Sequence, residues 1–316
     1  MQNLLDILNN CSDLVIIGGG FIGVEFADEC KKNRNINVTI VEMLPHCLML
    51  AYDEDVCEAT DKILRERDIN LLAPAKVEEF LGKESVEAVK LTDGREIKAD
   101  TIILGIGSQA NISLAQNAGL SIGPTKGIQV NNYMQTDDPD IFACGDCAEK
   151  ISFFDKQPST LKLASIACTE ARIVGANLFE VRRKNDGVIG VWSTKVADTA
   201  FAVAGLTERI AKEKKYDVIS GTAEAPNRHP GGMPKMASLK VKLIFDKNIS
   251  ILLGGQVSGA DSAGELVNAI SACVQQKMTF DDIATFQMGT HPALTASPIA
   301  YQLVNAAEIA LKDSRK

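Results

Sequence analysis

A glycine-rich turn near the start of the chain constrains the fold more than any other feature. The apolar run Leu14 to Ile17 leads into the spacing Gly18-x-Gly20-x-x-Gly23, and a helical pattern continues through Lys32. A second apolar run, Val38 to Val41, ends in Glu42, 19 residues beyond Gly23. A strand, a turn of this spacing, a helix and an acid after the next strand together are typical of a dinucleotide-binding βαβ unit. The pattern therefore predicts a Rossmann-like parallel sheet.

Each part of this unit has a physical role in holding a dinucleotide. Gly18 permits the tight turn, Gly20 has no Cβ to block the pyrophosphate, and Gly23 lets the helix pack closely on the strand. The helix N-terminus offers unpaired N–H groups and a positive dipole end. Glu42 is expected to bind both ribose hydroxyls and to repel a 2′-phosphate, and Met43 to Pro45 include no arginine to hold one. The sequence thus favours NAD(H) over NADP(H), with a glycine-rich turn in a nucleotide-free domain as the alternative.

The remainder of the first hundred residues indicates an insert in this fold. A helix is predicted over Glu54 to Arg67, and three short strands follow, at Lys76 to Phe80, Val86 to Leu91 and Glu96 to Lys98. Asp93-Gly94, between the last two, is a hairpin signal because both residues tolerate positive φ. The parallel sheet is predicted to resume at Thr101 to Leu104.

Composition excludes several classes of function. The net charge is -8 and the basic runs are short, so no nucleic-acid partner is expected. The longest apolar run is interrupted by glycines and falls short of the about 20 residues that a membrane span needs, and no signal peptide is visible. We therefore expect no membrane association and a cytoplasmic location, in which the eight cysteines are mostly free thiols.

Two of those cysteines, Cys144 and Cys147, flank Gly145-Asp146 in CxxC spacing. Such a pair can be a redox dithiol, half of a zinc site, or neither. Cys144 follows a predicted strand, Asp140 to Ala143, instead of opening a helix, and Asp146 is expected to raise the pKa of its thiol. Zinc would need a second pair, and the later cysteines are isolated. Both the dithiol and the zinc hypotheses are disfavoured, and no metal site is predicted.

Three segments in order resemble the FAD-dependent pyridine nucleotide-disulfide oxidoreductases: IIGGGFIGVEFA, ADTIILGIGSQAN and MQTDDPDIFACGDCAE. The coenzyme A-disulfide reductase and NADH oxidase branch is the most similar. The resemblance implies NAD(H) and FAD as cofactors, with Asp146 bound to a ribityl hydroxyl and a helix from near Ile166 pointing at the flavin. It places Glu25 beside the nicotinamide, the alternative being a solvated helix residue. The implied cofactor-binding residues are Gly18, Gly19, Gly20, Phe21, Ile22, Gly23, Glu25, Glu42, Gly105, Gly107, Gly145, Asp146 and Ala164.

The C-terminal third is predicted to be an α+β unit, since strands precede helices in it. It resembles the interface domain of the same family, which implies a homodimer. The predicted strands are Val188 to Trp192, Phe201 to Gly205, Ala237 to Phe245 and Ile249 to Leu253, and the predicted helices are Ala263 to Gln276 and Ser297 to Leu311. The overall prediction is an α/β chain with an NAD-binding domain at 1–106, a partial FAD-binding domain at 107–186 and a dimerisation domain at 187–316.

Two histidines are candidates for proton transfer. In MGTHPALTASPIAYQ, His291 occupies the place of the family's His-Pro base, which exchanges a proton with the active thiol of the other subunit. Relatives carry a glutamate five residues later to orient the ring, where this chain has Ala296. His229, which precedes Pro-Gly-Gly, is the second candidate, and a structural or solvated role is its alternative.

The resemblance covers only the later part of the family pattern. Family chains begin with a flavin-binding GxGxxG and carry their redox cysteine soon after it, whereas this sequence opens almost directly on the NAD domain. We therefore expect FAD to bind weakly or not at all. The predicted function is that of an NADH-dependent, flavin-linked oxidoreductase that reduces a small-molecule disulfide, a persulfide or dioxygen. The alternatives are a dimerising NAD(H)-binding module without turnover, and one subunit of a split flavoenzyme whose flavin half is a separate chain.

Overall fold

Short strands and helices alternate through the first 106 residues, as the glycine turn predicts. The structure is a computed structural model, and it describes residues 2–315. The helices of this part are α1 (Gln2–Asn9), α2 (Phe21–Lys31) and α3 (Glu54–Glu66). The strands are β1 (Asp13–Ile17), β2 (Asn37–Val41), β3 (Ile69–Leu72), β4 (Val77–Leu81), β5 (Ala88–Leu91), β6 (Glu96–Lys98) and β7 (Thr101–Leu104).

Four of these strands form a parallel sheet in the order β3-β2-β1-β7. Leu14 of β1 is in register with Val38 of β2 and with Thr101 of β7. The other three strands form an antiparallel sheet in the order β4-β5-β6, and Gly94 in the β5–β6 hairpin has a φ of 88°. The predicted parallel sheet with an antiparallel insert is confirmed.

The two faces of β1 bury their side chains in different cores because successive residues of a strand point to opposite faces. Leu14 and Ile16 pack with Val24 of α2 in one buried cluster. Val15, on the other face, packs with Val89 of the antiparallel insert. Each such side chain contributes about 1.5–3 kcal/mol when it is fully buried. The insert therefore covers the face of the parallel sheet that α2 leaves open.

Residues Gly107–Gly190 form a compact unit of their own, which contains little regular structure. Its helices are α4 (Ser113–Asn117) and α5 (Ala164–Asn177), and its strands are β8 (Lys150–Ile151) and β9 (Pro158–Ser159). A buried cluster that includes Ile128, Met134 and Ile173 forms its core.

The residues from Val191 onward pack with the first 106 residues in the other compact unit. The strands here are β10 (Val191–Val196), β11 (Thr199–Gly205), β12 (Val218–Pro226), β13 (Ser238–Asp246) and β14 (Leu252–Gly259), and the helices are α6 (Glu208–Glu213), α7 (Ala263–Gln275), α8 (Phe280–Ala284) and α9 (Gln302–Ser314). The strands form one antiparallel sheet in the order β10-β11-β14-β13-β12. The α/β fold class with an α+β C-terminal part is confirmed. The boundaries proposed for three domains stay a prediction.

Several predicted elements differ from those observed. Residues 140–143 do not form a strand; Phe142 makes only an isolated bridge with Gln135. The strand predicted at 188–192 begins at Val191, because Val188 pairs instead with Ser152. The last helix begins at Gln302, after a 3₁₀ turn at Pro298–Ala300.

No helix among residues 2–315 is both long enough and apolar enough to cross a bilayer.

Candidate functional site

The glycine turn lies between β1 and α2, at the carboxyl edge of the parallel sheet. Gly18 has a φ of 101°, and a Cβ on it would lie 2.5 Å from the carbonyl oxygen of Gly105. A Cβ on Gly23 would lie 1.8 Å from the carbonyl oxygen of Gly18. The N–H of Gly18 donates to the carbonyl of Val41, and that of Gly105 to the carbonyl of Ile17. The ends of three neighbouring strands thus converge on a turn that only glycine permits.

Gly20, in contrast, faces open space. A Cβ on Gly20 would have no heavy atom within 4 Å. Gly20 precedes α2, and Phe21 and Ile22 open it, so the first N–H groups of the helix have no acceptor within the helix itself. The Phe21 ring stacks on Trp192 of β10, with 6.0 Å between ring centroids. The N-terminus of α2 therefore begins at open space beside a stacked aromatic pair, and a helix N-terminus of this kind can hold an anion.

Glu42 follows β2 and joins the glycine turn through its carboxylate. Its Oε2 accepts a hydrogen bond of 2.6 Å from the N–H of Gly19, and its Oε1 accepts one of 2.6 Å from the N–H of Leu44. Each carboxylate oxygen has a further lone pair. The group can therefore still accept hydrogen bonds from a ribose diol. The two backbone contacts were not predicted.

Glu25 lies on α2 and is exposed, and its carboxylate accepts a 2.8 Å hydrogen bond from the hydroxyl of Thr194 on β10. The sequence carries no signal for this contact, since the two residues lie 169 positions apart. The hydrogen bond from Thr194 holds the carboxylate of Glu25, the residue that the family resemblance places beside the nicotinamide.

The predicted flavin-binding residues Gly145 and Asp146 lie in the unit formed by residues 107–190. Gly145 has a φ of 76° and begins a 3₁₀ turn. Asp146 is exposed and lines a cavity of about 10 Å³ together with Thr125 and Lys150. Ala164 is exposed as the first residue of α5, so the predicted helix starts two residues earlier than Ile166.

The two remaining predicted glycines fall in different units. Gly105 belongs to the unit of the glycine turn, and Gly107, with a φ of 92°, opens the unit that ends at Gly190.

A buried ion pair supports the Gly145 turn and was missed by sequence reasoning. The side chains of Lys150 and Glu170 are only 3% and 1% exposed, and 2.9 Å separates Lys150 Nζ from Glu170 Oε2. The same oxygen accepts a 2.8 Å hydrogen bond from the N–H of Gly145, and Lys150 also donates to the carbonyl of Ala148. Burial raises the pKa of the Glu170 carboxyl, although the ammonium group of Lys150 opposes that shift. The ion pair therefore supports the Gly145 turn, because Lys150 holds the Glu170 carboxylate that accepts the N–H of Gly145.

The CxxC pair is not an activated dithiol. Burial first, and then the negative charge of Glu170, raise the pKa of the Cys144 thiol. The expectation that Asp146 would cause this shift is wrong, because the acid that acts on the thiol is the buried Glu170. The Cys147 thiol donates to the carbonyl of Cys144 instead of facing a helix N-terminus.

The two candidate histidines lie in loops that contact each other. The N–H of His229 donates to the carbonyl of Pro292, and Nδ1 of His229 lies 3.1 Å from the carbonyl oxygen of Thr295. A carbonyl only accepts, so this Nδ1 carries the proton and the neutral ring has its free lone pair on Nε2.

His291 has the opposite tautomer. Its Nδ1 accepts a 3.2 Å hydrogen bond from the N–H of Ala293, so the proton of the neutral ring is on Nε2. The ring is exposed, and Ala296 is buried in the place of the orienting glutamate. The structure therefore brings the loops of His229 and His291 into contact and gives the two neutral rings different tautomers.

Comparison with known proteins places these features in one family. Residues 2–171 match the pyridine nucleotide-disulphide oxidoreductase family, and residues 191–299 match its dimerisation domain. The chain is 32% identical, over 307 residues, to an NADH oxidase of Methanocaldococcus jannaschii, covering 96% of this chain and 66% of that protein.

Two solved structures are similar to almost the whole chain. An NAD-dependent persulfide reductase from A. fulgidus is 28% identical with a TM-score of 0.92, and the match covers 99% of this chain and 57% of that one. A water-forming NADH oxidase from Lactobacillus brevis, bound to NADH, is 25% identical with a TM-score of 0.90, and the match covers 99% and 68%. The chain therefore spans about two thirds or less of the length of these relatives. As the sequence motifs predicted, the chain belongs to the pyridine nucleotide-disulphide oxidoreductase family.

Proposed function

We propose that this chain is the NADH-binding part of a flavin-linked oxidoreductase of the disulfide reductase and NADH oxidase type. The observation that carries the proposal is the site at the sheet edge: a helix N-terminus behind Gly20 opens onto free space, and Glu42 is held beside it by Gly19. Relatives named as an NADH oxidase and an NAD-dependent persulfide reductase support the same reaction class. A disulfide, a persulfide or dioxygen is the proposed electron acceptor.

The geometry supports NAD(H) in one orientation. The pyrophosphate would lie over the N-terminus of α2, where Gly20 lets the backbone approach it. The carboxylate of Glu42 would accept hydrogen bonds from the adenosine ribose. Met43 is exposed next to it and offers no positive charge for a 2′-phosphate. Glu25, held by Thr194, would lie at the nicotinamide end.

The residues present fit one part of FAD. Asp146 is exposed and ready to accept a hydrogen bond from a ribityl hydroxyl, and Gly145 is kept in its turn by Glu170. Ala164, at the start of a 14-residue helix, would face the flavin ring with the positive end of the helix dipole. When bound, FAD supplies the group that takes hydride from NADH and passes electrons on. We propose that its affinity for this chain alone is low, because only these contacts hold it.

The histidine loops support a proton-transfer role, which we assign by tautomer. His229 presents a lone pair at Nε2 and suits a base, whereas neutral His291 presents an N–H there and suits a hydrogen-bond donor to a substrate or thiolate. The dimerisation-domain match supports a homodimer, in which these loops would serve a partner subunit. We propose a cytoplasmic location on the basis of composition.

A split flavoenzyme is the second candidate, and exposed apolar side chains favour it. In the unit of residues 107–190, Leu114 is 85% exposed and Phe179 is 99% exposed. A second chain that covers these side chains would complete the flavin site. The binding module without turnover is the remaining alternative.

Spectroscopy of the purified chain separates these proposals. The first predicts that the chain binds FAD weakly, so that FAD fluorescence is quenched at high protein concentration, and that NADH then bleaches the visible flavin band. Bleaching only after a flavin-domain chain is co-expressed supports the split enzyme. If the chain binds NADH but the flavin band is not bleached, either with added FAD or with a co-expressed flavin-domain chain, both redox proposals are overturned. The binding module without turnover would then be the remaining explanation.

A further inference from the structure

Three potential metal ligands converge on the surface beside the start of α3. They are His46, in the segment after β2, and Glu54 and Glu58, on the first turns of the helix. One ligand atom from each residue can be chosen so that all three lie within 4.8 Å of one another. Glu54 and Glu58 are four residues apart, which places both carboxylates on the same helix face. None of the three is part of the proposed nucleotide or flavin contacts.

The imidazole of His46 is held in a metal-binding orientation by a buried acid. Nδ1 of His46 lies 2.9 Å from Oδ2 of Asp61, whose side chain is 3% exposed. The second oxygen of Asp61 accepts a 3.1 Å hydrogen bond from the N–H of Cys47, so the carboxylate cannot rotate freely. With its proton on Nδ1, the ring presents the Nε2 lone pair 3.9 Å from Oε1 of Glu54. A buried carboxylate behind a histidine is the arrangement that orients such ligands in metal sites.

We propose that His46, Glu54 and Glu58 bind a divalent transition-metal ion, with Asp61 as the positioning residue. One imidazole and two carboxylates are ligands that Zn²⁺, Co²⁺ and Mn²⁺ accept, and they include no thiolate. Metal–ligand distances of about 2.0–2.2 Å require the carboxylates to close on the ion. Glu54, 72% exposed, is free to do so. Three protein ligands leave coordination positions for water or for an anionic group of a bound molecule.

The proposed ion would stiffen the segment that supports the glycine turn. Leu48, two residues after His46, donates its N–H to the carbonyl of Gly19 at 2.8 Å. The Cys47 side chain fills the space beside Gly19, where a built Cβ would lie 2.7 Å from its Sγ. Metal binding is therefore expected to tighten NADH binding, a consequence that rests on the proposed function. The site itself does not depend on it.

The test is a metal titration of the full chain in the absence of nucleotide. Cys168 is an exposed free thiol, a ligand that soft metals prefer, so the titration uses the Cys168→Ser background. We expect one equivalent of Zn²⁺ per chain by calorimetry. Co²⁺ should give a weak visible spectrum without a thiolate charge-transfer band. No uptake of Zn²⁺, or uptake whose Co²⁺ spectrum shows only thiolate ligands, would overturn the proposal.

Substitutions of the proposed ligands and of the positioning residue test where the ion binds. His46→Gln and Glu58→Gln should each weaken Zn²⁺ binding at least tenfold, and Asp61→Asn should weaken it by about 10- to 100-fold. Glu66→Gln, on the last turn of the same helix, is the matched control and should bind as the wild type does. Circular dichroism confirms that each variant is folded. Unchanged affinity in folded Glu58→Gln, a surface substitution that keeps side-chain volume, would refute the site, as would an equal loss in the control.

Discussion

Alanine substitutions at Gly23 and at Gly20, three positions apart, test two different roles of the glycine turn. In Gly23→Ala, the new Cβ would lie 1.8 Å from the carbonyl oxygen of Gly18, whereas real Cβ atoms essentially never come closer than 3.0 Å. The start of α2 or the Gly18 peptide must therefore move, by about 1.2 Å, to restore the shortest contact that real Cβ atoms make. Overpacking of this kind costs about 1–3 kcal/mol, and the upper end applies because backbone cannot rotate away. Gly23→Ala should lower both stability and NADH affinity.

Gly20→Ala is the matched variant that keeps the fold. Its Cβ meets no heavy atom within 4 Å, and the backbone φ of -73° suits alanine. We expect a stability loss of about 0.5 kcal/mol, from the less favourable residue at the helix start. The methyl group occupies the volume proposed for the pyrophosphate, so the Kd for NADH should rise at least tenfold, or about 1.4 kcal/mol. Chemical denaturation and calorimetry measure the two quantities. Wild-type affinity in folded Gly20→Ala would refute the assignment of the phosphate site.

Three further substitutions test other contacts in the compact unit that contains the glycine turn. Glu42→Gln should raise the Kd for NADH more than tenfold, and calorimetry showing equal Kd values would exclude a ribose contact. Asp53→Ala should cost about 3 kcal/mol in a denaturant titration, because Lys242 and two backbone N–H groups lose a buried acceptor; a loss below about 1 kcal/mol would contradict this role. Burial opposes ionisation of Glu208, but Lys212 and Lys242 outweigh it and lower its pKa from 4.5 to about 2. Its stabilising contribution is therefore complete above pH 4.5 and is lost as the pH falls towards 2. The stability difference between wild type and Glu208→Gln should shrink over that range, and a constant difference would disprove the linkage.

Local patterns predicted the nucleotide-binding part of the fold closely. The glycine spacing, the two apolar runs and the Asp93-Gly94 turn each specify a local conformation that burial does not override. β6 and β7 have the predicted bounds, and α3 differs from its prediction by one residue. The sequence features that predict these elements lie within the elements or a few residues from them.

The C-terminal sheet was predicted less well than the parallel sheet. Where its strands pack closely against other backbone, they contain glycine in place of the β-branched and aromatic residues that are typical of strands. β12 was missed: a Cβ on its Gly221 would lie 1.9 Å from the carbonyl oxygen of Ala306, so α9 packs directly on the strand backbone. β14 was predicted to end at Leu253, yet it continues through Gly254 and Gly255. A Cβ on Gly254 would lie 2.2 Å from the carbonyl oxygen of Leu206. These glycines are required by tertiary contacts, which the local sequence does not reveal.

The candidate site likewise combines residues whose positions the local sequence predicts with contacts that it does not predict. The positions of Gly18, Gly23 and Glu42 follow from local spacing, and the structure brings them to one sheet edge. The hydrogen bond from Thr194 to Glu25 and the ion pair of Lys150 with Glu170 join residues from distant parts of the sequence. No periodicity or motif marks such contacts, since each partner alone is an ordinary polar residue.

Titration of the purified chain with NADH and NADPH in parallel tests the central claim most directly. The account predicts one NADH per chain, with NADPH bound at least tenfold more weakly because Glu42 repels the 2′-phosphate. Folded protein that takes up neither nucleotide, or that binds both equally, would contradict the claim that the glycine turn and Glu42 form an NAD(H) site.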